Sequence, residues 1–84
     1  MTVLRKRMIQ DMVLRNLSEN TQKAYVRAVK QLAKFHGKSP DRLSKEEIRK
    51  YLIYLMEKKR VANATYIQHL CALRFFYRIT LRRN

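Results

Sequence analysis

Apolar side chains recur along this chain at i, i+3, i+4 and i+7, the spacing that lines one face of an α-helix. The clearest case is residues 17–35, where Tyr25, Ala28, Val29, Leu32 and Phe35 make one stripe. Lys23, Arg27, Lys30 and Lys34 fall at i, i+4, i+7 and i+11 and make a second stripe nearly opposite the first. At a rise of 1.5 Å per residue this cationic row is about 16 Å long. Ser18 stands ahead of it as an N-cap, leaving Asn20, Thr21 and Gln22 in the exposed first turn. Such a helix buries one face in a core and lays the other against something negative.

The remaining stretches carry the same period. Residues 2–15 predict a first helix with Leu4, Met8, Ile9, Met12 and Val13 as its apolar stripe and Arg5, Lys6, Arg7 and Arg15 directed elsewhere. Met8 and Met12 read as adaptable core filler. Asn16 and Leu17 form a short joint into the second helix, which stops at Gly37, the chain's only glycine. Residues 38–43 form a loop, since Pro40 biases Ser39 away from helix. Ser44 and Glu47 then stand at the N-cap and N3 positions of a capping box. They open a third helix that reaches about Lys59, with Ile48, Tyr51, Leu52 and Leu55 as its buried stripe. Glu46 and Glu47 at its start and Lys58, Lys59 and Arg60 at its end suit the helix dipole.

After a turn at Val61 and Ala62, Asn63 is the expected N-cap of a fourth helix running to roughly Leu81. Its stripe is Tyr66, Leu70, Leu73 and Tyr77, with Ile67 and Phe76 at the margins. Phe75 and Ile79 fall on the far side, beside Cys71, and a helix apolar on two sides has two neighbours. They face either another helix of the domain or a segment outside this chain; close packing of four helices in 84 residues favours the former. No strand pattern or repeat occurs, so the fold class is all-α.

Charge changes the picture more than size does. The chain has 84 residues, enough for one small domain, and carries 20 Lys and Arg against 6 Asp and Glu, a formal charge of +14. Self-repulsion on that scale points to a polyanionic partner. A single cysteine, Cys71, excludes an internal disulfide and fits a reducing cytoplasm. No signal peptide or membrane span is visible.

Chemistry is sparse. Asp11, Glu19, Asp41, Glu46, Glu47 and Glu57 stand at helix starts or on charged faces, with no pair set up for acid–base work. His36, His69 and Cys71 lack metal-ligand spacing. No glycine-rich phosphate loop and no nucleophile with a companion base occur. His69 reads as an ordinary groove-edge or partly buried side chain. The chain therefore reads as a binder, with no catalytic residue, no metal site and no cofactor. A membrane-surface helix needs a free apolar face, and single-stranded RNA calls for exposed aromatics. Here both the stripes and the aromatics are taken up by the core. Duplex DNA fits best, because the first turns of the second and fourth helices offer Asn20, Thr21 and Lys23, and Asn63, Thr65 and Gln68.

At these positions the chain takes on a family character. The second helix reads Leu17-Ser18-x-x-Thr21-x-x-Ala24-Tyr25, followed by Leu32 and Phe35. The third reads Leu43-Ser44-x-Glu46-Glu47-Ile48-Arg49-x-Tyr51-Leu52-x-Tyr54-Leu55, and the fourth Ala64-Thr65, then Leu70-x-Ala72-Leu73-Arg74-x-Phe76-Tyr77. Together these phrases resemble the N-terminal core-binding (SAM-like) domain of the tyrosine recombinase or phage integrase family, from about residue 17 onward.

The resemblance implies a compact four-helix orthogonal bundle that clamps one side of a DNA duplex during integration or recombination by a mobile element. It also implies a larger C-terminal catalytic domain, carrying Arg, Lys, His-x-x-Arg and a nucleophilic Tyr, as partner in a full-length protein. That constellation is missing here: His36 is followed by Gly-Lys-Ser and His69 by Leu-Cys-Ala. Residues 1–84 are thus expected to be one non-catalytic domain of a longer, cytoplasmic recombinase, monomeric in isolation. Family DNA-facing positions match Thr21, Lys23 and Arg27 in the second helix and Thr65 and Gln68 in the fourth. Ala64 replaces a common cation or polar group. Combined with the residue-level reading, the expected DNA-facing set is Asn20, Thr21, Lys23, Arg27, Lys30, Lys34, Asn63, Thr65 and Gln68. Thr21 serves equally well as a second capping hydroxyl. The alternative is a protein-interaction module of the same fold that binds a recombinase, which an exposed Phe75 and Ile79 would favour.

Overall fold

Both ends of the second helix and the start of the third fall where a local signal places them, whereas the fourth begins without one. The computed structural model describes residues 2–82, in the order α1 (Thr2–Leu14), α2 (Glu19–His36), a 3-10 turn (Pro40–Arg42), α3 (Lys45–Glu57) and α4 (Asn63–Phe75). A π-helical turn, Phe76–Thr80, continues α4. The described residues contain no strand, and the fold is all-α as the periodicity predicts. Among the described residues no helix is long and apolar enough to cross a membrane.

Ser18 caps α2 by accepting the Thr21 N–H at 3.2 Å. Gly37 ends it in the left-handed region at φ 64°, where a Cβ would strain the backbone. α3 opens on the complete capping box: Ser44 Oγ accepts from Glu47 N–H at 3.2 Å, and Glu47 Oε1 accepts from Ser44 N–H at 3.0 Å. Glu47 Oε2 meets Lys38 Nζ at 2.9 Å. The Lys38 bond and then the Ser44 N–H hold the Glu47 carboxyl down to about 2.

The exception is α4. Its N-cap is Ala62, and no side chain caps it; Asn63, expected at the cap, is the first helical residue instead. Ending α3 also takes an unusual residue, since Arg60 occupies the left-handed region at φ 52° where glycine is the common choice. Val61 N–H reaches back to the Leu55 carbonyl at 3.1 Å, so the chain reverses sharply between α3 and α4.

Met8 and Met12 of α1, Val26, Val29 and Leu32 of α2, Leu43, Tyr51 and Leu55 around α3, and Leu73 and Phe76 around α4 form the core. Three details depart from the periodic reading. Val13 lies exposed, while Val26, on the margin between the apolar and basic stripes of α2, is buried. Phe35 is half-exposed, its ring against Tyr54, Tyr51 and His36. The buried line of α4 is His69, Ala72, Leu73, Phe76 and Thr80, with Tyr66, Leu70 and Tyr77 at its edge. Phe75 does face another helix of the domain: its ring lies 6.1 Å from Tyr25 of α2, and the Arg15 guanidinium sits 5.7 Å over it. Tyr77 donates its hydroxyl to the Pro40 carbonyl at 2.6 Å and so ties the 3-10 turn to the last helix.

The cap at α3 is testable. Ser44→Ala is expected to cost about 1 kcal/mol, which lowers the thermal midpoint of a domain this size by roughly 4–8 °C. Glu47 adds an acid limb. Its folded pKa lies below the ordinary 4.5, so its contribution is whole above that pH and is lost as pH falls towards about 2. An unchanged midpoint by circular dichroism in Ser44→Ala would show that the box does not hold the helix.

Candidate nucleic-acid interface

The basic face of α2 follows from its composition. Lys23, Arg27, Lys30 and Lys34 all remain exposed, because the helix buries the opposite arc through Ala28, Val29 and Leu32. Two open grooves flank that face. One, about 570 Å3, runs between α1 and α2 and is lined by Arg5, Lys23, Arg27 and Lys30, with Ile9 and Val26 as apolar floor and Glu19 as its acid. Gln22 lines it too, but its amide already donates to the Leu17 carbonyl at 2.9 Å. The other, about 250 Å3, separates α2 from α4 and brings Arg27 and Gln31 opposite Thr65, Gln68 and His69, with Lys59 and Val61 at the turn. Arg27 lines both grooves and is the residue they share.

The structure therefore gathers part of the expected set and disperses the rest. Lys23, Arg27 and Lys30 act on one groove, and Arg27, Thr65 and Gln68 on the other. Asn20, Lys34 and Asn63 are exposed but line neither groove. Thr21 is half-buried, and its Oγ1 accepts from Ser18 Oγ at 3.0 Å, so its hydroxyl is engaged at the helix cap.

Residues outside the expected set complete both grooves. Arg5 stands one turn before Ile9 on α1, so the i, i+4 pair places a cation above an apolar floor residue. Lys59 reaches the second groove because the left-handed Arg60 folds the chain back there. His69 is buried, and its Nδ1 has no hydrogen-bond partner among the described residues. Burial, then the charge of Lys59, pushes its pKa below the ordinary value.

Chemically the face is a row of donors and cations, suited to holding anions in place. Among the described residues no three His, Cys, Asp or Glu side chains gather into a metal-binding group. Burial pushes the Tyr25 and Tyr51 phenols above their ordinary value, the reverse of what an activated nucleophile needs.

Comparison with known proteins gives this geometry a context. Residues 4–84 match the family described as phage integrase, N-terminal SAM-like domain. The chain is 46% identical, over all 84 residues, to 27% of the y4qK protein of Sinorhizobium fredii, which bears an integrase/recombinase name. It is 38% identical over 61 residues, 71% of this chain, to 18% of proteins named integrase/recombinase from Escherichia coli and Pseudomonas aeruginosa. The chain thus spans about a quarter or less of the length of these relatives. No solved structure matches it significantly.

Proposed function

Because the chain belongs to the phage integrase N-terminal SAM-like domain family, we propose that it is the duplex-DNA docking domain of a site-specific tyrosine recombinase. In this reading it clamps one side of the recombination site and leaves strand cleavage and rejoining to a separate catalytic domain. It works in the cytoplasm and is monomeric when alone. The observation that carries the proposal is Arg27, standing at the meeting point of two grooves that together present Arg5, Lys23, Lys30 and Lys59 around it. Phosphates dock on these cations by releasing counterions, while Gln68 and Thr65 stand beside them for limited contact with base edges.

Amide NMR titration of the chain with a short duplex, at two salt concentrations, tests this. Shifts are expected at residues 21–30 and around residues 59–68, weakening steeply with salt. Shifts spread evenly over every basic residue, or none at all, would remove the docking face.

A second reading, a protein-interaction module of the same fold, draws on one feature. An apolar groove between α3 and α4 is lined by Leu43, Ile48, Leu52, Leu70, Leu73 and Tyr77. Under that reading duplex DNA leaves α2 unperturbed. Phe75 lends it little support, being packed against Tyr25 and beneath Arg15.

A further inference from the structure

The groove between α2 and α4 holds a feature that simple cation docking does not use. His69 lines it, yet is only 7% exposed, and its Nδ1 is buried with no partner among the described residues. Every element around the ring presents either a cation or a neutral group. From α2 come Arg27 and Gln31; from the α3–α4 turn, Lys59; from α4 itself, Thr65 and Gln68. Tyr51 of α3 stands with its ring 6.1 Å away. Among the described residues no carboxylate lines the groove. The beginning of α4 has no side-chain cap, which leaves the positive end of its dipole uncompensated beside Thr65.

We propose that this groove seats one DNA backbone phosphate between Arg27 and Lys59, and that the seated phosphate draws a proton onto His69, so that docking takes up a proton. The inference rests on the reading of the chain as a duplex-docking domain and adds to it a proton linkage at a named residue.

The physical argument compares two states of the same ring. In the free domain, burial and then the charge of Lys59 oppose a charged imidazolium and lower its pKa. A phosphate seated between Arg27 and Lys59 cancels that field and supplies the counter-charge the groove lacks. The protonated ring then has an anion facing it, and its pKa rises in the complex. A group that binds a proton more tightly in the complex makes the complex tighter as pH falls. The gain is confined to the window between the free and bound pKa values of His69. One proton limits the slope to tenfold per pH unit, so from pH 7.5 to 5.5 a gain of roughly three- to tenfold is expected.

Two measurements on the 84-residue chain test the linkage. In the first, ring carbon–proton NMR follows His69 through pH 5–8 with and without a saturating duplex of about 16 base pairs. The midpoint is expected to rise on binding, while His36, whose Nε2 donates to the Glu47 carbonyl at 2.7 Å and which does not line the groove, serves as internal reference. A duplex that binds on α2 but leaves the His69 midpoint unmoved overturns the proton linkage and spares the docking role. A duplex that does not bind removes both. In the second, fluorescence anisotropy measures duplex affinity against pH at fixed ionic strength for the wild type and His69→Gln. The pH dependence is expected to flatten in the variant, and a variant as steep as the wild type would overturn the proposal. The wild-type NMR result stands even if His69→Gln does not fold.

Discussion

Truncating Phe76 to alanine is expected to remove most of the protein's stability at 25 °C. Phe76 has no exposed surface and sits where the π-helical turn meets α1 and the end of α4, in the same core as Met8, Met12 and Leu73. Removing a buried phenyl ring costs about 3–5 kcal/mol, through lost transfer free energy and the cavity left behind. A domain of this length has a total stability of roughly 4–13 kcal/mol, and a formal charge of +14 pulls it towards the lower end. Urea titration followed by far-ultraviolet circular dichroism is the direct check. A variant that keeps the wild-type midpoint would mean that the core closes around a different residue. Phe75→Ala, which trims a half-buried ring at the edge, should cost clearly less.

Replacing Lys23, Arg27 and Lys30 together by glutamine is expected to weaken duplex binding by roughly 10²–10³-fold at 0.1 M salt. All three side chains are exposed, so the fold should survive the change. Each cation–phosphate pairing removed flattens the dependence of log affinity on log salt by about 0.9, and removing three changes the slope by about 2.7. Measuring binding at several salt concentrations separates this from a general loss of charge. If the slope is unchanged, those three cations do not meet phosphates and the docking face lies elsewhere. Glutamine keeps much of the length and hydrogen-bonding capacity of the side chains, which leaves charge as the main variable.

The termini of α2 and the start of α3 are legible in the sequence because their signals are local. Ser18, Gly37 and the Ser44–Glu47 pair each act on backbone within four residues, and each does so in the structure. The buried side of α4 is less legible. Its stripe reads as Tyr66, Leu70, Leu73 and Tyr77, but of these Leu73 alone is fully buried, and the packing against α1 and α2 turns His69, Ala72, Phe76 and Thr80 inward beside it. On a helix with apolar residues nearly all round, periodicity does not choose the face; the neighbours do. Val26 teaches the same point, since it is buried only because α1 lies over that edge of α2.

The candidate interface divides likewise. The row on α2 is visible as a spacing within one helix. Arg5 and Lys59 join it from other elements, and their roles depend on how α1 crosses and how Arg60 turns the chain. Asn63 reads as a cap because asparagine caps well, yet the cap falls one residue earlier, on Ala62, and Asn63 opens the helix itself.

The ion pair of Lys38 with Glu47 engages one of only 6 acids set against 20 cations, with a consequence for how the protein responds to its medium. With so few internal counter-charges, the free domain carries its cations as mutual repulsion. Dissolved salt shields that repulsion and firms the fold, while the same salt competes with a nucleic acid for the cationic face. The two responses run in opposite directions, so conditions that release the domain from a duplex are conditions under which it needs the duplex least. At low ionic strength the order reverses: the polyanion supplies the missing counter-charge, and folding and docking reinforce one another.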